Sequence, residues 1–169
     1  MIKYATPLLI TTSLVLAGCA KKAPEELPPP PVDTTPTQPS TNPTGPGYAP
    51  GSQGDFVANT MSDRILFDTD EYNVDSRDQA ILQSQAQWLA SNPNARITIE
   101  GHADERGTRD YNLALGERRA NAAKNYLASL GVSPARMTTV SYGKERPEAL
   151  GSNESAWAQN RRAVSVVVR

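Results

Sequence analysis

The densest chemistry in the sequence lies in Gly101-His102-Ala103-Asp104-Glu105-Arg106-Gly107-Thr108-Arg109, a loop with two glycines in which acids and bases are mixed. Carboxylates accept from an ammonium and guanidinium forks grip a carboxylate, so charges mixed in this way suit a zwitterion. A phosphate would need a Gly-rich loop with Lys, and that pattern is absent. One Cys and one His in 169 residues leave no intrachain disulfide, no Cys/His zinc site and no Cys–His pair unless Cys19 takes part. Glu100, Asp104, Glu105 and Glu117 could nominally supply the two carboxyl groups of a glycosidase, but no feature selects a pair, and no serine elbow is present. With 17 Lys+Arg against 18 Asp+Glu, the chain lacks the basic surplus that nucleic-acid binding requires.

The elements around this loop follow from periodicity. Ile65-Leu66-Phe67 reads as a strand end before the turn-like Asp68-Thr69-Asp70. Asp75 is placed to cap a helix with Leu82, Ala86 and Leu89 on one face, stopped at Asn92-Pro93. Arg96 to Glu100 alternates as a strand with Ile97 and Ile99 on one face. From about Asp110 to Leu130, Gly116, Ala120, Ala123, Leu127 and Leu130 mark an amphipathic helix with Gly131 as its left-handed cap. Met137 to Tyr142 and Ala163 to Val168 are further strands, with a short helix near Ala156 between them. The order βαβαβ(α)β predicts an α/β sandwich with helices packed on one side of a mixed four-stranded sheet. The charged loop then sits at the carboxyl end of a strand, where open α/β sheets form a ligand crevice.

Ahead of this unit, Lys3 and the apolar residues Leu8 to Ala17 read as a secretory signal too short to span a bilayer stably. Its end, Leu16-Ala17-Gly18-Cys19, resembles a bacterial lipobox. That resemblance implies cleavage before Cys19 and acylation there, with Ala20 fitting delivery to an outer membrane. Several acyl chains hold stably where one holds marginally, since each buried methylene contributes ~0.8 kcal/mol. From Ala20 to Gly54 the chain is Pro-, Thr- and Gly-rich, and it carries ten of the fourteen prolines up to Pro50. Such a tract cannot bury enough surface to order itself, and its reach lies between ~110 Å as polyproline II and roughly 33 Å as a flexible coil. Expected boundaries are a signal at 1–18, a lipidated Cys with a Pro-rich tether at 19–54, and a folded domain at 55–169.

The run from Gly101 to Ala120, Gly-His-Ala-Asp-Glu-Arg-Gly-Thr-Arg-Asp-Tyr-Asn-Leu-Ala-Leu-Gly-Glu-Arg-Arg-Ala, resembles the signature of OmpA-like peptidoglycan-binding domains. Val140 to Pro147 and Asn160 to Ala163 are similar to that family too. The resemblance covers roughly residues 60 to 169, and with the lipobox and spacer the whole chain is similar to the lipoproteins of the family. It implies non-covalent binding of meso-diaminopimelate in the stem peptide of a Gram-negative cell wall, with no cofactor. By motif position, Asp104 takes the ammonium and Arg119 the carboxylate of the free end. Asn112, Thr108 and Leu115 are candidate lining residues, and Phe67, Asp68 and Tyr72 a candidate second wall. His102 is expected to brace the pocket by hydrogen bonds, and Arg161 and Arg162 to pair structurally. Ala103 stands where many members have Thr. The resemblance further implies a periplasmic domain that binds the propeller protein TolB within the Tol–Pal system of envelope integrity and cell division. Two other readings stay open: a scaffold mainly for TolB, and a cell-wall hydrolase. For Asp104 and Arg119 the plainer alternative is a surface salt bridge between them, or from Arg119 to Glu117.

Overall fold

A computed structural model describes residues 47–168. The signal, the lipobox at Cys19 and the tether as far as residue 46 lie outside the described residues. Within them the chain runs α1 (Gln53–Asn59), β1 (Arg64–Leu66), α2 (Ser76–Ser91), β2 (Arg96–His102), α3 (Arg109–Ser129), a 3₁₀ turn at Pro134–Arg136, β3 (Met137–Gly143), α4 (Glu154–Asn160) and β4 (Arg162–Val168). No helix among the described residues is long and apolar enough to cross a membrane.

The helix ends obey local rules. Asp75 caps α2 by accepting from the Asp78 N–H at 2.7 Å, and Thr108 caps α3 by accepting from the Tyr111 N–H at 3.3 Å. Gly131, at φ +93°, closes α3 in the left-handed region, where glycine carries no Cβ penalty. The sheet order is β1-β4-β2-β3, with β4 antiparallel to both neighbours and β2 parallel to β3. The βαβαβ(α)β expectation holds, and β4 inserts between β1 and β2. Ile97, Ile99, Leu82, Leu89, Ala120, Ala123 and Leu127 form the core between sheet and helices. Each large aliphatic side chain buried there contributes about 1.5–3 kcal/mol.

Helix α1 is an addition to the expected elements, and it begins inside the span read as tether. Phe56 anchors it, fully buried with its ring 4.9 Å from Trp88 in an edge-on contact. The Gln53 side-chain amide accepts from the Val167 N–H at 2.7 Å and donates to the Ser165 carbonyl at 3.4 Å. It thereby satisfies a stretch of β4 that the three-residue β1 is too short to pair.

Two glycines set the approach of α3 to the sheet. A Cβ on Gly101 would collide with the Gly116 carbonyl, and one on Gly116 with the Ser141 hydroxyl, so only glycine admits this closeness. The first turns of α3 therefore lie directly against the end of β2, and Arg119 comes beneath the charged loop.

Asp78 supplies a polar stitch, since its Oδ1 accepts from the Leu66 N–H at 3.3 Å on the edge of the sheet. The side chain is buried and Oδ2 has no hydrogen-bond partner among the described residues. Burial first, and the neighbouring Asp75 second, push its pKa up to about 6. The folded chain then holds this proton over a pH range in which the unfolded chain has released it, so stability falls as pH rises from about 4 to about 6. Asp78→Asn keeps the acceptor without the charge. It is expected to remove that slope and to stabilise at pH 7.5 by ~1 kcal/mol, a rise of a few degrees in Tm. Melting curves across pH 4–8 check this, and an unchanged slope would contradict it.

Candidate functional site

The loop after β2 meets the turn after β1 and the start of α3 around a cavity of about 240 Å³. Asp104, Asn112, Leu115 and Arg119 all line it, together with Ala103, Thr69, Asp70, Arg106, Gly107, Tyr111 and Arg161. Three guanidinium groups and two carboxylates thus converge on a small crevice at the carboxyl end of a strand, beside the N-terminus of α3.

Arg119 is the largest fully buried side chain, at 0% exposure. Its Nε donates to the Glu71 carbonyl at 2.8 Å, Nη1 to the His102 carbonyl at 2.9 Å and Nη2 to the Asp68 carbonyl at 3.0 Å. Its guanidinium carbon stands 5.1 Å from the centre of the Phe67 ring. Burial, and then repulsion from Arg161, lower its pKa to about 10, while Asp104 and Asp70 act the other way. The group stays charged at neutral pH. Of its five N–H donors three are spent on backbone, which leaves one on each terminal nitrogen, a two-point fork suited to a carboxylate.

Asp104 makes no ion pair with Arg119 among the described residues. It is held by Arg106, whose Nη2 lies 2.6 Å from Oδ2 and whose Nε donates to Oδ1 at 3.2 Å, and by Arg161, whose Nη1 is 3.5 Å from Oδ2. Burial works against ionisation of Asp104, yet hydrogen bonds from Arg106 and Arg161 overcome it and hold the pKa below the usual carboxylate range. Arg161 is fixed on two further sides, donating to the Phe67 carbonyl at 2.9 Å and to Glu154 at 2.7 Å.

The remaining expected residues divide by position. Asn112 is buried and donates to the Arg106 carbonyl at 2.7 Å, pinning the loop backbone. Leu115 is buried against the cavity floor. Thr108 acts as the α3 cap and does not line the cavity. Phe67 and Asp68 do not line the cavity, but the Phe67 ring and the Asp68 carbonyl contact Arg119, the Phe67 carbonyl accepts from Arg161, and both residues line a separate groove beside β1. Tyr72 stands outside, exposed, with Arg118 5.9 Å above its ring. The salt bridges considered for Arg119 do not form, and three of its five donors go to backbone carbonyls instead.

His102 departs from its expected role. Its ring is buried against Tyr142, and neither ring nitrogen has a hydrogen-bond partner among the described residues. Burial, and then the charges of Arg162 and Arg146, lower its pKa to about 4, so it stays neutral. It is the His102 carbonyl, on the main chain, that braces Arg119.

Arg106, Arg161, Asp70 and Tyr111 belong to the site although sequence reasoning did not place them there. Tyr111 donates through its hydroxyl to Asp70 at 3.3 Å, and Asp70 sits at φ +59°, the one non-glycine at positive φ among the described residues. Aspartate in the turn Asp68-Thr69-Asp70 was the available signal, since short polar side chains tolerate that conformation.

Comparison with known proteins agrees with this architecture. The OmpA family model matches residues 66–161. A peptidoglycan-associated lipoprotein of Rhizobium meliloti (strain 1021) is 52% identical over 161 residues, covering 95% of this chain and 85% of the relative. One from Agrobacterium fabrum (strain C58 / ATCC 33970) is 51% identical over 164 residues, with the same 95% and 85% coverage. The crystal structure of the peptidoglycan-associated lipoprotein from Burkholderia pseudomallei superposes with a TM-score of 0.63 at 48% identity, covering 68% of this chain and all of that one. The chain therefore belongs to the OmpA family and, within it, to the peptidoglycan-associated lipoproteins.

Proposed function

We propose that this chain is an outer-membrane lipoprotein whose domain grips peptidoglycan without breaking bonds, by the free amino-acid end of meso-diaminopimelate in the stem peptide. The observation that carries the reading is one small crevice holding both a buried guanidinium with two spare donors and a carboxylate kept ionised. The ligand end has an ammonium and a carboxylate on one carbon. Arg119 takes the carboxylate and Asp104 the ammonium, each contact selecting one charge and the pair selecting the zwitterion. Because the folded-state pKa of Asp104 is depressed, its share of binding persists through mildly acidic pH and is lost only as pH falls through that lowered value.

Acylation at Cys19 and a Pro-rich spacer would fix the other end to the membrane. Many tethered copies facing a repetitive polymer gain from effective concentration, so individual grips can be weak. TolB and the Tol–Pal system, acting in envelope integrity and division, are the partners this reading carries. A role mainly as a TolB scaffold predicts binding to TolB with no dependence on wall chemistry. Hydrolysis is disfavoured because hydrogen bonds from Arg106 and Arg161 keep Asp104 ionised, which suits charge recognition and leaves it no proton to give as a general acid.

Sedimentation with purified sacculi tests the proposal. The full chain is expected to pellet with walls carrying diaminopimelate, to stay in solution with walls carrying lysine there, and to release no muropeptides. Equal pelleting with both walls would overturn it.

A further inference from the structure

Asp104 cannot receive a ligand's ammonium as it stands, because both of its oxygens already face a cation. The two cations differ in how they are held. Arg161 is only 6% exposed in its side chain and is tied to the Phe67 carbonyl and Glu154. Arg106 lies at the mouth with its side chain 39% exposed, resting 4.3 Å above the Trp157 ring and donating to the Thr69 hydroxyl at 3.2 Å. Its backbone is pinned independently, the N–H on Asp104 at 3.0 Å and the carbonyl under Asn112 at 2.7 Å, so only the side chain is free to swing.

We infer that the Arg106 side chain is a displaceable latch: it occupies the ammonium position on Asp104 in the empty site and must swing off when a stem peptide binds. This rests on the diaminopimelate reading and deepens it. The guanidinium has the charge and donors of the group it stands in for, and it spans three segments across the cavity, from the turn after β1 through the loop after β2 to α4. The Arg106–Asp104 pair is open to water from the Arg106 end, where the side chain is 39% exposed, whereas the Arg161–Asp104 contact is closed at both ends, at 6% and 8%, so Arg106 is the cation that can leave for solvent. The latch also keeps both Asp104 oxygens on guanidinium donors between ligands. Its consequence is self-competition. Every ligand must first displace a charge that the protein itself supplies, which lowers affinity and slows association relative to an open site.

Titration calorimetry and stopped-flow binding of the full chain in detergent micelles, with the tripeptide L-Ala–γ-D-Glu–meso-diaminopimelate, test the latch. Arg106→Ala is expected to bind roughly five- to tenfold tighter than wild type, chiefly through faster association. Trp157→Ala, which removes the resting face but keeps the charge, is expected to shift binding the same way by less. Thermal melts of both variants confirm that they are folded. If wild type binds and Arg106→Ala binds equally or more weakly, the latch is overturned while the zwitterion site stands. Absence of binding by all three proteins overturns both.

Discussion

Asp104→Asn is expected to lower affinity for a diaminopimelate stem peptide by about ten- to a hundredfold while Arg119 keeps its place. The substitution removes the charge proposed to receive the ammonium and retains the shape. A charge-assisted hydrogen bond is roughly twice as strong as a neutral one, and truncating one side of a desolvated charge pair costs ~2 kcal/mol or more. There is a local penalty too, because an amide nitrogen at the Oδ2 position would face Nη2 of Arg106 and Nη1 of Arg161, both donors. Some loss of stability accompanies the loss of binding, so the titration belongs well below the variant's melting temperature. Binding unchanged by Asp104→Asn would show that the ammonium goes elsewhere in the cavity, with Asp70 as the other carboxylate there.

Arg119→Ala is expected to destabilise the domain by about 3–5 kcal/mol, a large share of the 5–15 kcal/mol typical of a whole domain. Its guanidinium ties together three otherwise separate backbone carbonyls, those of Asp68, Glu71 and His102. Removing it orphans those acceptors, at about 1–3 kcal/mol for each that water does not reach. Failure of this variant to bind peptidoglycan would therefore reflect lost folding as much as lost contact. Arg119→Lys separates the two, since lysine keeps the charge and at least one carbonyl but has no fork. It is expected to retain most of the fold and to lose most of the binding. Urea denaturation measures the first effect, and a loss below ~1 kcal/mol for Arg119→Ala would contradict the structural role.

The sandwich was legible because its strands and helices differ in period. The αL cap at Gly131, the Asp75 cap and the Ile97/Ile99 face are local signals that the structure repeats. Helix α1 was not legible, because Gln53 to Asn59 holds one strong apolar anchor, Phe56, inside a stretch whose composition continues the preceding tract. Its stability comes from Trp88 and from the β4 edge, both distant in sequence. The same limit applies in the site. Asp104 and Arg119 could be placed by motif, but the carbonyls that hold Arg119 lie 17 to 51 positions away, and Asp104 meets, besides its neighbour Arg106, an arginine 57 positions on. Arg161 shows this most clearly: beside Arg162 it reads as one of a structural pair, and the turn out of α4 makes it both structural and a wall of the cavity. His102 was misread in the opposite direction, since a lone histidine in a polar motif suggests a side-chain brace, while strand alternation sends the ring against Tyr142.

In the proposed binding mode one crevice requires an ammonium and a carboxylate on the same carbon. Stem tripeptides isolate that requirement, because L-Ala–γ-D-Glu–meso-diaminopimelate and L-Ala–γ-D-Glu–L-Lys share the ammonium and differ by the carboxylate beside it. Calorimetric titration of the full chain with each is the most direct measurement. Saturable heat with the diaminopimelate peptide, and binding at least tenfold weaker with the lysine peptide, is the predicted result; equal affinity for the two would contradict the account.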